Sequence, residues 1–168
     1  MEDERKYIER RKLLKRYAAG ERDFAGMRIS SSGLDGEDLR EIDLSEADLT
    51  GVDLSGSNLS YANLSGAILL CVNLTNANLS YANLRGVDLS GADCIGTDFS
   101  NANLNDAILT AAVFDGANLY RAAIGGTAKF IKTDFRGVKN FPGLGEGVLV
   151  YKTFREDGSF FKGPDWIE

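Results

Sequence analysis

The sequence predicts an all-β solenoid, a quadrilateral parallel β-helix with a cap at each end. Three observations predict it. Every fifth residue from Phe24 to Ile124 is apolar, 21 positions in unbroken register, fifteen of them Leu. The residue two before each of these centres is small: from Ile42 onward, 11 of 17 are Ala. The residue just before the centre is Asp or Asn in 13 of the same 17. An internal repeat this strict sets the architecture ahead of other signals.

A five-residue period suits neither an ordinary helix nor an ordinary strand. Five steps around a helix make about 500° and miss a full turn by about 140°. Odd spacing along a strand flips the buried face each time. The pattern fits a chain that turns a corner every five residues. The centre and the small residue two before it point inward, and the other three point out. Four such sides close a coil of 20 residues, and stacked coils pair their backbones at about 4.8 Å. Asp and Asn suit the position before the centre because their short polar side chains bond local backbone. Gly suits the corner, where Gly51, Gly56, Gly66, Gly86, Gly91, Gly96 and Gly116 stand.

Tandem A-[DN]-L-x-x over Ile42 to Ile124 resembles the pentapeptide-repeat family. The opening from Leu13 to Phe24 is similar to the entry of cyanobacterial members. The resemblance implies a right-handed quadrilateral parallel β-helix, and that hand agrees with the general preference of parallel crossovers.

Taken in order, residues 1–21 are expected to form an N-terminal helical cap. A helix over 2–19 would carry the loose apolar stripe of Ile8, Leu13, Leu14, Tyr17 and Ala18, with Gly20 as its stop. Residues 22–140 form the β-helix. Its first coil, 22–41, is degraded, with Arg22, Met27, Ser32 and Glu37 at the small inner sites and a looser loop at Ser30-Ser31-Ser32-Gly33. At Gly125-Gly126 the register slips by one, Phe130 and Phe135 continue it, and the repeat is expected to end near Asn140. Residues 141–168 are a capping hairpin and tail. One strand runs from Val148 to Phe154, a turn falls at Glu156-Asp157-Gly158, and the second strand runs from Ser159 to Lys162. Tyr151, Phe154, Phe160, Phe161 and Trp166 are expected to cover the top of the column. Each cap answers the same need, since a solenoid end exposes apolar side chains and unpaired strand edges.

Composition narrows the chemistry. The chain has no His, which removes the commonest general base and metal ligand. Its two cysteines occupy different places in the repeat: Cys94 at a buried centre, Cys71 at an exposed corner. A disulfide between them is not expected. Gly143-x-Gly145-x-Gly147 lacks the strand–turn–helix context of a phosphate loop. The sequence therefore predicts no enzyme, no cofactor and no metal site. The net charge of −6 divides unevenly: residues 1–22 carry +3, residues 23–127 carry −10 and residues 128–168 carry +1. An acidic body disfavours direct nucleic-acid binding and anionic membranes. The N-terminus is charged from Glu2 onward and no apolar run reaches membrane-spanning length, so the expected compartment is the cytoplasm.

The outer surface is what remains for function. Residues 20 apart stack, so Glu41, Tyr61, Tyr81, Asn101 and Arg121 share one corner column with Tyr120 beside it. On other sides Ile68, Leu70, Ile95, Ile108 and Val113 stand where polar residues are usual. Both groups are candidate partner-binding surfaces. The sequence favours a non-catalytic protein-interaction scaffold with a regulatory role, binding a protein partner as a monomer or as a weak homodimer through an end cap. The family resemblance implies an alternative, a DNA mimic that binds a type II topoisomerase (gyrase) as quinolone-resistance members do. Against it, the outward Asp columns are interrupted by Asn, which carries no charge.

Overall fold

The computed structural model describes residues 6–29, 33–163 and 165–167, with the side chain of Trp166 outside that set. The expected loop at Ser30-Ser31-Ser32 and the start of the expected helix at 2–5 also lie outside it. The expected solenoid is there. From Asp38 to Asn103 each residue before a centre is bridged in parallel to the residue 20 further on, as in Asp43↔Asn63, Asn63↔Asn83 and Asn83↔Asn103. Between neighbouring coils the Leu64 N–H donates to the Asn83 carbonyl at 2.8 Å, and the Asn83 N–H donates to the Ala62 carbonyl at 2.9 Å. Turning a corner every five residues leaves only one bridged residue per side. Centres and small inner residues form one continuous buried column from Phe24 to Phe135. Where the small residue is polar, its hydroxyl turns to a carbonyl: Ser57 donates to Leu54 and Thr97 to Leu74, both at 2.7 Å.

The corners share one geometry. From Leu34 to Leu119 each centre's carbonyl accepts the N–H three residues on, as Leu59 does from Ala62 at 3.0 Å. Every fifth residue from Gly36 to Gly126 is left-handed, with φ between +53° and +69°. This is the third position of a type II turn, which favours Gly or Asn. The Asp or Asn before each centre braces the corner by accepting the N–H two residues on, as Asp53 does from Ser55 (2.9 Å) and Asn78 from Ser80 (2.9 Å).

The N-terminal cap is a strand followed by a short helix. β1 (Tyr7–Ile8) precedes α1 (Arg10–Ala18) and pairs in parallel with β2 (Arg28–Ile29) in the first coil. The helix is therefore shorter than expected, and Ile8 belongs to the strand that covers part of the coil's open edge. Leu13 is wholly buried. The first coil keeps its bridges, Asp23↔Asp43 and Asp38↔Asn58, despite charged residues at its inner sites. The cap accounts for this: Arg10 pairs with Glu37 at 2.5 Å, and the Arg22 guanidinium lies 3.9 Å from the centre of the Tyr17 ring.

At the other end the slip at Gly125-Gly126 is visible as a change of spacing. Asn103 bridges Ala123, but Ile108 bridges Lys129, one residue further along. The coil does not stop near Asn140. After a loop at 141–147 the chain returns to the column: β3 (Lys129–Ile131) is overlaid in parallel by β4 (Leu149–Tyr151), with Val148, Val150 and Thr153 buried. The single strand expected over Val148–Phe154 is divided by a corner at Lys152, φ +50°. Only β5 (Thr153–Phe154) forms the hairpin with β6 (Phe160–Phe161), while β7 (Asp165–Trp166) returns antiparallel to β4. Phe161 packs against the core, whereas Phe160 stays half exposed beside Phe154.

Cys94 is fully buried and Cys71 is exposed, both free. Burial pushes the Cys94 thiol far up, with Asp93 adding to it. In native protein, a thiol reagent is expected to modify Cys71 at the rate of an accessible thiol and to spare Cys94 until denaturant is added. Equal native rates at the two sites would contradict the register.

Candidate functional site

The four edges of the solenoid differ in what fills their left-handed corners. One edge has Gly36, Gly56, Gly96 and Gly116 with Asn76. A second has Gly66, Gly86 and Gly126 with Glu46 and Asp106, and a third has Gly51, Cys71, Gly91 and Ala111. On these edges glycine leaves room for the side chain one coil below. A Cβ at Gly66 would meet the Glu46 carboxylate, and one at Gly96 the Asn76 amide. The fourth edge has no glycine. It carries Glu41, Tyr61, Tyr81, Asn101 and Arg121. A left-handed backbone costs a residue with a Cβ about 1 kcal/mol or more.

Tyr61 and Tyr81 stack face to face, ring centres 4.9 Å apart and planes 6° from parallel. They remain 58% and 53% exposed, so the stack shields neither from solvent. Higher on the edge, Tyr120 is exposed and the Arg121 guanidinium lies 5.2 Å from its ring centre. The flanking columns are rich in amides. Asn63 donates to Asp43 at 3.2 Å and Asn83 to Asn63 at 3.1 Å on one side, and Asn118 donates to Asp98 at 3.0 Å on the other. Tyrosine among Asn and Ser gives rigid amphipathic area beside adaptable hydrogen bonding, a composition suited to binding proteins.

The second candidate group is divided. Ile68, Leu70, Ile108 and Val113 are half-buried and Ile95 is exposed. The ladder Asp48–Ile68–Asp88–Ile108–Lys129 alternates charged and apolar residues, which puts Ile68 and Ile108 two rungs, about 10 Å, apart. Ile95 and Val113 lie beyond the corner on the next side. The outward carboxylates serve the corners. The Ser55 N–H first, then its hydroxyl, and the Asn73 amide hold the Asp53 carboxyl below its usual range against partial burial. The Thr127 N–H and then Arg85 lower the Asp106 carboxyl likewise. Among the described residues no cluster of acidic or Cys side chains could hold a metal ion, and no helix is long and apolar enough to cross a membrane. A cavity of about 280 Å³ lies under the C-terminal hairpin, lined mainly by Phe130, Phe135, Phe141 and Phe161.

The family model for pentapeptide repeats (8 copies) matches four overlapping segments, residues 38–69, 57–93, 67–106 and 92–127, which together span more than half of the chain. The chain belongs to the pentapeptide-repeat family. Members act by binding other proteins, enzymes among them, and are not catalytic. Similar solved structures include HetL from the cyanobacterium Nostoc sp. strain PCC 7120, described as involved in heterocyst differentiation regulation. It is 24% identical over 92% of this chain and 100% of its own, TM-score 0.33. QnrB1, a plasmid-mediated fluoroquinolone resistance protein, is 22% identical over 73% of this chain, TM-score 0.41, and this chain spans 64% of its length. A pentapeptide-repeat protein of the Arabidopsis thaliana thylakoid lumen is 36% identical over 62% of this chain and 65% of its own, TM-score 0.28. None of the curated proteins matches the chain.

The 20-residue spacing in the sequence was enough to align Tyr61, Tyr81 and Arg121, and it placed Glu41 and Asn101 with them. The backbone conformation that makes this edge unusual was less legible. Its one signal in the sequence was the absence of glycine from that column.

Proposed function

We propose that the chain is a non-catalytic binding protein that engages a protein partner through the tyrosine edge. One observation carries the reading: from Glu41 to Arg121 this edge carries a side chain at every left-handed corner where the other edges are mostly glycine, and it leaves the aromatic pair in solvent. Strain of this kind persists where a surface is used. A purely structural ladder is the competing account, and stability separates the two. In Tyr61→Gly/Tyr81→Gly the relief at two corners, about 1 kcal/mol each, offsets the lost stacking of about 0.5–1.5 kcal/mol. The variant is expected to melt within a few degrees of wild type and to lose the partners that wild type captures from native extract. A large drop in melting temperature with undiminished capture would make the tyrosines structural. Ile68→Ser/Leu70→Ser tests the other surface in the same assay.

The charge distribution favours a second reading. Residues 23–127 carry a net charge of −10, and carboxylates such as Asp53 are held ionised. An acidic rod is what a mimic of DNA directed at gyrase would present. Its ladders weaken the case, since Asp43 is followed by Asn63, Asn83 and Asn103, and Asp38 by Asn58 and Asn78. On the tyrosine-edge reading, purified protein leaves gyrase supercoiling and its quinolone sensitivity unchanged. Inhibition at low salt that is abolished by Asp43→Asn, Asp53→Asn or Asp88→Asn, and kept by the tyrosine double variant, would establish the mimic.

A further inference from the structure

The tyrosine edge and the side next to it can be read as three columns. The first runs Asp38, Asn58, Asn78, Asp98, Asn118. The second runs Arg40, Ser60, Ser80, Ser100, Tyr120, and the third Glu41, Tyr61, Tyr81, Asn101, Arg121. An acidic end and a basic end stand four coils apart on the third column, and its middle is uncharged. Such a surface is complementary to its own inverted copy. When two identical flat sides pack about a two-fold axis perpendicular to the solenoid, each column meets itself in reverse order. With the axis at the level of Tyr81, Glu41 of each copy faces Arg121 of the other. Arg40 faces Tyr120, Tyr61 faces Asn101, and Tyr81 faces Tyr81. On the first column Asp38 faces Asn118 and Asn58 faces Asp98, so each carboxylate meets an amide donor. No like charges stand opposite one another.

With the axis at that same level the other three sides do not pass the test. At the equivalent level their two-fold axes would fall on Arg85, Asp88 or Asp93, and each would oppose its own copy. Like-charge juxtaposition across an interface is penalised strongly enough to exclude a pairing.

We propose that the tyrosine edge pairs two copies of this chain in antiparallel orientation, with Glu41 and Arg121 setting the register. The proposal names the occupant of the edge assigned above and rests on that assignment. The paired side is about 19 Å long across its five coils. It is smaller than the roughly 800 Å² per partner of stable complexes, so the pair exchanges quickly and forms at high concentration.

Sedimentation of the purified full chain from about 1 to about 500 μM tests it, a range suited to a small interface. Wild type is expected to pass from monomer to dimer mass over that range. Glu41→Arg and Arg121→Glu place like charges opposite each other twice per pair, and each variant alone is expected to stay monomeric. Both positions are exposed, so melting curves should match wild type. An equimolar mixture of the two single variants restores both ion pairs, as does the double variant Glu41→Arg/Arg121→Glu, and both samples are expected to dimerise like wild type. A wild type that remains monomeric throughout would overturn the proposal. So would single variants that dimerise unchanged, or a well-folded mixture that does not. Monomeric wild type that still captures another protein through Tyr61 and Tyr81 would remove the self-pairing and leave the binding edge in place.

Discussion

Leu84→Asp is expected to abolish the cooperative melting transition. Leu84 is wholly buried at a centre with regular coils above and below, and its N–H bonds the Asn103 carbonyl at 2.8 Å. A carboxylate there would face Leu64 and Leu104 with no partner and no water. Burying an unpaired charge costs several kcal/mol, a large part of a typical domain's 5–15 kcal/mol. In a solenoid the loss also removes the support of the neighbouring coils, because each coil is stable only against the next. Asp88→Ala, four residues away and pointing out, is the control. It removes an acceptor for the Ser90 N–H (3.0 Å) and hydroxyl (2.6 Å), a loss of about 1 kcal/mol. Thermal melts followed by circular dichroism check the pair, and comparable losses in the two variants would refute the inside–outside assignment.

Phe114→Ala is expected to cost about 3–5 kcal/mol, the range for deleting a buried ring. The Phe114 ring centre lies 5.6 Å from Phe99 and 5.1 Å from Phe135, and Phe135 continues the cluster to Phe130 and Phe141 at 5.1 and 5.3 Å. Below Phe114 in its column stand Cys94, Leu74 and Leu54, so the large ring follows the smallest centre. If Phe114 fills space that Cys94 leaves, the two sites are coupled. Cys94→Leu alone then overpacks and costs about 1–3 kcal/mol. In the Phe114→Ala background the same change recovers part of the loss. Chemical denaturation of the four proteins gives the coupling, and strictly additive effects would show that the two side chains pack independently.

Coupling of this kind marks the boundary between what the repeat reveals and what it hides. From Ile42 to Ile124 the inside–outside assignment is legible residue by residue, because each side repeats the same local rule. The one-residue slip at Gly125-Gly126 was equally legible, since a fixed period makes any insertion visible. The ends were harder. Ile8 matched a loose helical stripe but lies in β1, because the first coil offers an open strand edge that a helix cannot pair. Asn140 falls where the next centre should be, which hides the return of the chain at Leu149–Tyr151. Once a loop breaks the period, spacing carries no information about the coil above it.

The sequence by itself determined the solenoid, its 20-residue coil, the buried column of Leu and Ala and the columns in which outer residues stand. All of these follow from a rule that five consecutive residues can satisfy, and repetition then fixes the stacking. Only the tertiary structure decided how the charged inner site of the first coil is neutralised, by Arg10 reaching Glu37 across 27 positions. It also decided that the column resumes above Lys129–Ile131, and that Tyr61 and Tyr81 stack in solvent on left-handed corners. These features join residues from different coils or from outside the repeat. Their energies depend on distance, ring orientation and backbone dihedral, and none of those is encoded in a spacing of five.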